Sequence, residues 1–111
     1  MSANYIPERG DIVILDIDSA DSAGQKETKQ ALVISPAQYN RKTSMALFCP
    51  IKTKVKGYPF EVNIPENLNA KGVILSDQVK SLNWKARNAE FVCALPADIF
   101  SEVISKLNSL I

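Results

Sequence analysis

Histidine is absent from this 111-residue chain. That excludes a His-based catalytic triad, a His-pair ribonuclease mechanism and a typical zinc site. Cysteine is scarce as well: Cys49 and Cys93 are the only two, far apart, and neither has a second Cys or a His nearby to form a metal knuckle or redox pair. Both fall in apolar, strand-like runs, so they read as buried thiols in a reducing cytosol. No stretch of about 18 apolar residues exists, which argues against a membrane span. The opening Met1–Arg9 has no apolar core of the secretory kind, so a cytoplasmic location is expected. With four glycines in all, there is no Walker lysine loop and no dinucleotide-binding glycine pattern. An excess of one charge is also missing, since 13 basic residues against 12 acidic ones leave a net +1. A wholly basic nucleic-acid coat protein is thereby excluded, and any RNA or DNA site must be a local patch.

What is present fits one domain over residues 1–111, with a modest core and a prior expectation of dimerisation. Ile12–Ile17 is rich in β-branched residues and follows the turn signal Gly10-Asp11, so it predicts a strand. Ser19–Lys29 is small and polar throughout and reads as a long loop. Ala31–Ser35 predicts a second strand, and Ser35-Pro36 a cap followed by one helical turn through Tyr39. Met45–Ile51 predicts a third strand, with Pro50 implying an edge or a bulge near its end. Tyr58–Ile64 alternates, with Tyr58, Phe60, Val62 and Ile64 on one face. Val73–Leu75 and Gln78–Leu82 read as one strand broken at Ser76-Asp77, and Glu90–Leu95 as the last. After Pro96, the residues Ile99, Phe100, Val103, Ile104, Leu107, Leu110 and Ile111 fall on one helical stripe. Closely spaced strands with a terminal helix indicate a mainly β (α+β) fold, a small twisted sheet or barrel with the helix laid across it.

Three clusters could carry chemistry. If Lys52-Thr53-Lys54-Val55-Lys56 is extended, its three lysines project from one face at a spacing of roughly 6–7 Å, which suits a sugar–phosphate backbone. A lysine-protected edge strand is the plainer alternative. Gln25, Lys26, Glu27 and Lys29 lie in the polar loop, as RNA contacts or as a solvated connection. Asp77–Arg87 sets the only tryptophan, Trp84, among Lys80, Lys85 and Arg87. Trp84 could stack on a base while Arg87 reaches phosphate, or it could be a core or interface aromatic.

Four segments together resemble the MazF/PemK toxin family. They are Tyr5-Ile6-Pro7 with Gly10-Asp11; Ser35-Pro36 with Tyr39-Asn40; Lys56–Val62; and Asp77–Ser81 with Trp84 and Ala86-Arg87. The likeness runs in order from Tyr5 to the C-terminal helix. It implies an SH3-like antiparallel barrel of the plasmid-toxin type with a short helical turn and a C-terminal helix, assembled as a homodimer. It further implies the toxin of a type II toxin–antitoxin system, a sequence-specific endoribonuclease that cuts single-stranded RNA or mRNA without a metal or cofactor. A cognate antitoxin would occupy the RNA groove, and operator DNA would be met only as the toxin–antitoxin complex.

The chain departs from that family where the chemistry would sit. The family pattern Glu-Gln-x-Gly-x-Arg-Pro becomes Gly24-Gln25-Lys26-Glu27-Thr28-Lys29-Gln30. Gln25 is kept, the arginine falls on Lys29, and the catalytic threonine falls on Lys52 with Thr53 beside it. Lysine keeps the charge of arginine but loses its planar fork. The expectation is therefore that Lys29, Lys52 and Thr53 are catalytic, with Lys29 and Lys52 facing each other across a groove. Two close ammoniums lower each other's pKa, so one becomes a general base. Gln25, Lys54, Lys56, Trp84 and Arg87 are the expected RNA contacts. One alternative is a catalytically impaired relative that binds antitoxin, RNA or operator DNA without cutting. Another is a protein-directed poison of the gyrase-inhibiting kind, disfavoured because the chain ends Ser109-Leu110-Ile111 without an aromatic.

Overall fold

The computed structural model describes residues 4–17 and 27–111. These form β1 (Asp11–Ile17), β2 (Glu27–Val33), α1 (Ala37–Thr43), β3 (Met45–Lys52), β4 (Glu61–Asn63), β5 (Val73–Leu75), β6 (Lys80–Asn83), β7 (Glu90–Ala94) and α2 (Ala97–Asn108). All strand pairs are antiparallel, in the order β4-β5-β3-β2-β1-β7, with β6 also paired to β3. The expected small antiparallel barrel is thus a curled sheet whose edges, β4 and β7, do not pair with each other.

The unbroken apolar run of β1 has a simple cause: the sheet is buried on both faces. Ile12, Leu32, Cys49 and Ile51 pack on one side, which α2 covers with Val103, Ile99, Phe100 and Leu107. Val13, Ala31, Val33 and Phe48 pack on the other, closed by Trp84 with Tyr5 and Ile6. On the covered side Cys49 is fully buried, and burial pushes its thiol up to about 12, with Asp77 adding to the shift.

Several boundaries differ from the sequence reading. β2 begins at Glu27, not Ala31, because its polar start is held by the ladder to β1 from Ile17–Glu27 onward. Backbone pairing tolerates exposed side chains, and Glu27, Thr28 and Lys29 are all exposed. Of the expected Ser19–Lys29 loop, residues 19–26 lie outside the described residues. Pro50 lies on neither an edge nor a bulge. On its outer side β3 pairs with β6 through Met45–Phe48 and with β5 through Ile51–Lys52, so Pro50 falls where that ladder changes partner.

β4 is shorter than Tyr58–Ile64, and Tyr58 is exposed at 44%. α2 stops at Asn108, leaving Leu110 and Ile111 beyond the packed stripe and exposed. α1 runs on to Thr43, with Pro36 in the cap position and no side-chain cap. Ser35 is spent elsewhere: its hydroxyl donates to Asn40 Oδ1 at 2.5 Å and accepts from the Leu47 N–H at 2.9 Å.

Asn40 ties the second core together. Fully buried, it donates through Nδ2 to the carbonyls of Pro7 at 2.8 Å and Ser35 at 3.0 Å. Its own carbonyl accepts from Trp84 Nε1 at 2.9 Å and from the Ser44 N–H at 3.0 Å. A buried polar network is stabilising only when every member is satisfied, as here. Among the described residues no helix is long and apolar enough to cross a membrane.

Candidate active site

The β2–β3 register places the candidate residues. Its pairs are Val33–Phe48, Leu32–Cys49 and Ala31–Pro50, and two residues further the same register sets Lys29 opposite Lys52. Directly opposed residues share a face, with Cβ atoms roughly 4.5–5.5 Å apart. Lys80, opposite Phe48 on β6, faces the same way. The result is an open cleft of about 240 Å³ with an apolar floor of Leu15, Phe48, Pro50 and Leu82 under Lys29, Lys52, Lys80 and Arg87. Its floor is the far end of the second core.

Lys52 sits in the middle of this charge. Its pKa is held below the ordinary lysine value, first by the charge of Lys29, then by a hydrogen bond with that amine, by partial desolvation, and by Lys80 and Lys56. Two neighbouring ammoniums repel, so the closeness of Lys29 favours the neutral form of Lys52. Lys52 so placed gives up its proton more readily than an isolated lysine, within a cleft lined by other basic side chains.

Lys52's backbone is fixed from behind. A Cβ on Gly72, whose φ is +122°, would lie 2.2 Å from the Lys52 carbonyl oxygen. Only glycine allows that approach of β5 to the end of β3.

Beyond Lys52 the chain bends instead of extending, which corrects the expected strand through Lys56: residues 53 and 54 form a bend and all of 52–59 are exposed. Glu61 organises the bend, accepting through Oε2 from the Lys56 N–H and through Oε1 from the Gly57 N–H, both at 3.1 Å. Gly57 takes φ +76° there. Tyr58 donates its hydroxyl to Asp77 Oδ2, and this bond, with the Asp77 charge beside it, holds the phenol's pKa above its usual value. Lys54, Lys56 and Tyr58 line a second cleft, of about 430 Å³, which shares Lys52 and Gln78 with the first.

The candidates divide accordingly. Lys29 and Lys52 meet, and Arg87 lines the same cleft, anchored by donating from Nη1 to the Asp16 carbonyl at 3.2 Å. Lys54 and Lys56 join the second cleft. Thr53 lies beside Lys52 in a third opening, with Ile14, Gln30 and Asn69. Gln25 lies outside the described residues. Trp84 is not presented for stacking: it is 9% exposed, packed among Val13, Val33 and Phe48, with its N–H taken by Asn40. Lys80 and Gln78 were not singled out from the sequence, where they read only as neighbours of Trp84. The signal for Lys80 was its alternation along β6, legible only once β6 was paired with β3.

A cationic cleft on a curled antiparallel sheet, with two amines set against each other at its centre, defines a small domain built to handle polyanions. The chain belongs to the PemK-like, MazF-like toxins of type II toxin–antitoxin systems, whose family model matches residues 8–111. It is similar to the endoribonuclease toxin MazF of Escherichia coli, 39% identical over 111 residues covering 100% of this chain and 99% of that one. It is also similar to the endoribonuclease PemK of Escherichia coli, 25% identical over 109 residues, 94% of this chain and 81% of that one. Among solved structures, the MazE–MazF complex of Deinococcus radiodurans (Form-II) superimposes with a TM-score of 0.91 at 42% identity, covering 96% of each chain.

Proposed function

We propose that residues 1–111 act as one toxin unit that cuts single-stranded RNA, including mRNA, at short sequences without a metal. The RNA's own 2′-hydroxyl attacks the adjacent phosphorus. Neutral Lys52 takes the 2′-hydroxyl proton, and the Lys29 ammonium balances charge on the phosphorane. As the 5′-oxygen leaves, Lys29 donates a proton to it, giving a 2′,3′-cyclic phosphate and a 5′-hydroxyl. Thr53 offers a hydroxyl to the phosphate, and Lys80 and Arg87 hold the strand along the apolar floor. The observation that carries this reading is the convergence of Lys29 and Lys52 on one open cleft. The endoribonuclease names of the relatives support turnover over binding alone.

The solved MazE–MazF complexes support a protein antitoxin as partner. On this reading the toxin works in the cytoplasm as a homodimer and meets operator DNA only with that antitoxin bound. The test is incubation of the purified protein with mixed-sequence RNA in excess EDTA. Fragments ending in 2′,3′-cyclic phosphate are expected, and intact RNA at micromolar protein would overturn the proposal. Light scattering reports the oligomeric state in the same buffer.

A further inference from the structure

We propose that the cleft on the far side of Lys52, between the Lys54–Tyr58 bend and Gln78, seats the nucleotide next to the scissile phosphate, and that Gln78 reads its base. This rests on the nuclease reading above and names the specificity residue of the same site.

Continuity is the first argument. Lys52 and Gln78 both line the central cleft and the second one, so a strand gripped at Lys52 passes directly from one into the other. At about 430 Å³ the second cleft lies within the usual range for small-ligand pockets. Its chemistry suits a nucleotide: Lys54 and Lys56 for phosphate, and the exposed ring of Tyr58 with Leu75 for the face of a base. Tyr58 is already fixed by its bond to Asp77 and its tilted contact with Phe60, at 5.9 Å between ring centroids. Little ordering is then lost when a base lands on it.

Base reading needs a free donor–acceptor group, and elimination leaves one in this cleft. Both carboxylate oxygens of Glu61 are taken by the backbone of Lys56 and Gly57. The Tyr58 hydroxyl is spent on Asp77. The lysines only donate and carry charge, which suits phosphate. Gln78 is exposed, and only its backbone N–H is engaged among the described residues, by the Leu75 carbonyl at 3.2 Å. Its side-chain amide is left to offer a donor and an acceptor together, the pattern that distinguishes one base edge from another.

The test is selection by binding, independent of cleavage. A random-sequence single-stranded pool with every 2′-hydroxyl replaced by fluorine is incubated with the unaltered protein, with Gln78→Ala and with Tyr58→Ala, and the bound fraction is sequenced. The unaltered protein should enrich one base roughly ten-fold at one position, and Gln78→Ala should lose that preference alone. Tyr58→Ala should weaken binding of all sequences alike, roughly five-fold or more. A Gln78→Ala variant with the parent's preference overturns the assignment, as does a parent with no preference at all. Failure of the ribose RNA to be cut in EDTA would instead overturn the nuclease reading, leaving the selection to judge the cleft.

Discussion

The amine of Lys29, carried on β2, is the strongest electrostatic neighbour of Lys52 at the end of β3, and its charge is the first cause of the lowered Lys52 pKa. On the proposed mechanism the two residues work as a pair, so their effects on catalysis should not add. Lys29→Gln and Lys52→Gln are each expected to lower the cleavage rate roughly 100-fold or more, and the double variant should be little worse than either. Initial rates on a fluorogenic RNA in EDTA measure this, with unchanged thermal midpoints as the control for folding. Two independent and multiplying losses would separate the pair.

The pH profile follows from the depressed pKa of Lys52. On the proposed mechanism the neutral amine is the reactive form, so cleavage should rise with pH and level off below the ordinary lysine value of 10.5. Lys80→Gln removes one of the charges that depress it, so the rising limb should move to higher pH; Lys29→Gln should move it further. The sign for stability agrees. A lysine whose folded pKa is lowered disfavours folding while protonated, so its penalty fades as pH climbs from the depressed value toward 10.5. A limb that stays in place in Lys80→Gln would show that another group titrates.

Trp84→Phe separates the two roles once open for that residue. Phenylalanine keeps most of the bulk but cannot donate to the Asn40 carbonyl. The expected loss is about 1–2 kcal/mol of stability, seen as a lower thermal midpoint, with RNA affinity unchanged below the transition. A selective loss of RNA affinity in a protein of undiminished stability would return Trp84 to the binding surface.

Gly72→Ala is expected to be more damaging than its position just before β5 suggests. The added methyl would meet the Lys52 carbonyl oxygen at 2.2 Å, and φ +122° strains any side chain there. We expect about 2–4 kcal/mol of destabilisation, together with a fall in cleavage rate at temperatures where the variant is fully folded. Activity equal to the parent's under those conditions would mean that the end of β3 tolerates displacement.

Sequence alone made the strands and terminal helix legible because each carries an apolar pattern that backbone pairing or packing must satisfy. The departures came from residues whose pattern is polar but whose backbone is held: Glu27, Thr28 and Lys29 look like loop until β1 pairs with them. Lys54 and Lys56 look like a strand until Glu61 gathers the backbone into a bend. For the site, Lys29 and Lys52 were found through the resemblance, since nothing in the local spacing links residues on different strands. Trp84 was undecidable because indoles serve cores and bases equally, and only the carbonyl of Asn40 shows which. Lys80 and Gln78 were hidden for the same reason as the pair, because their partners lie across the sheet.

The helix-covered layer of Ile12, Leu32, Cys49 and Val103 lies on the opposite side of the sheet from every amine in the cleft. The helix-covered core is thus separate from the cleft, whose apolar floor belongs to the second core. Exposed cleft side chains such as Lys29 and Lys52 can be exchanged without disturbing the helix-covered layer. For protein engineering, this makes the cleft a replaceable tool head on a fixed handle, open to new combinations at positions 29, 52, 78 and 80.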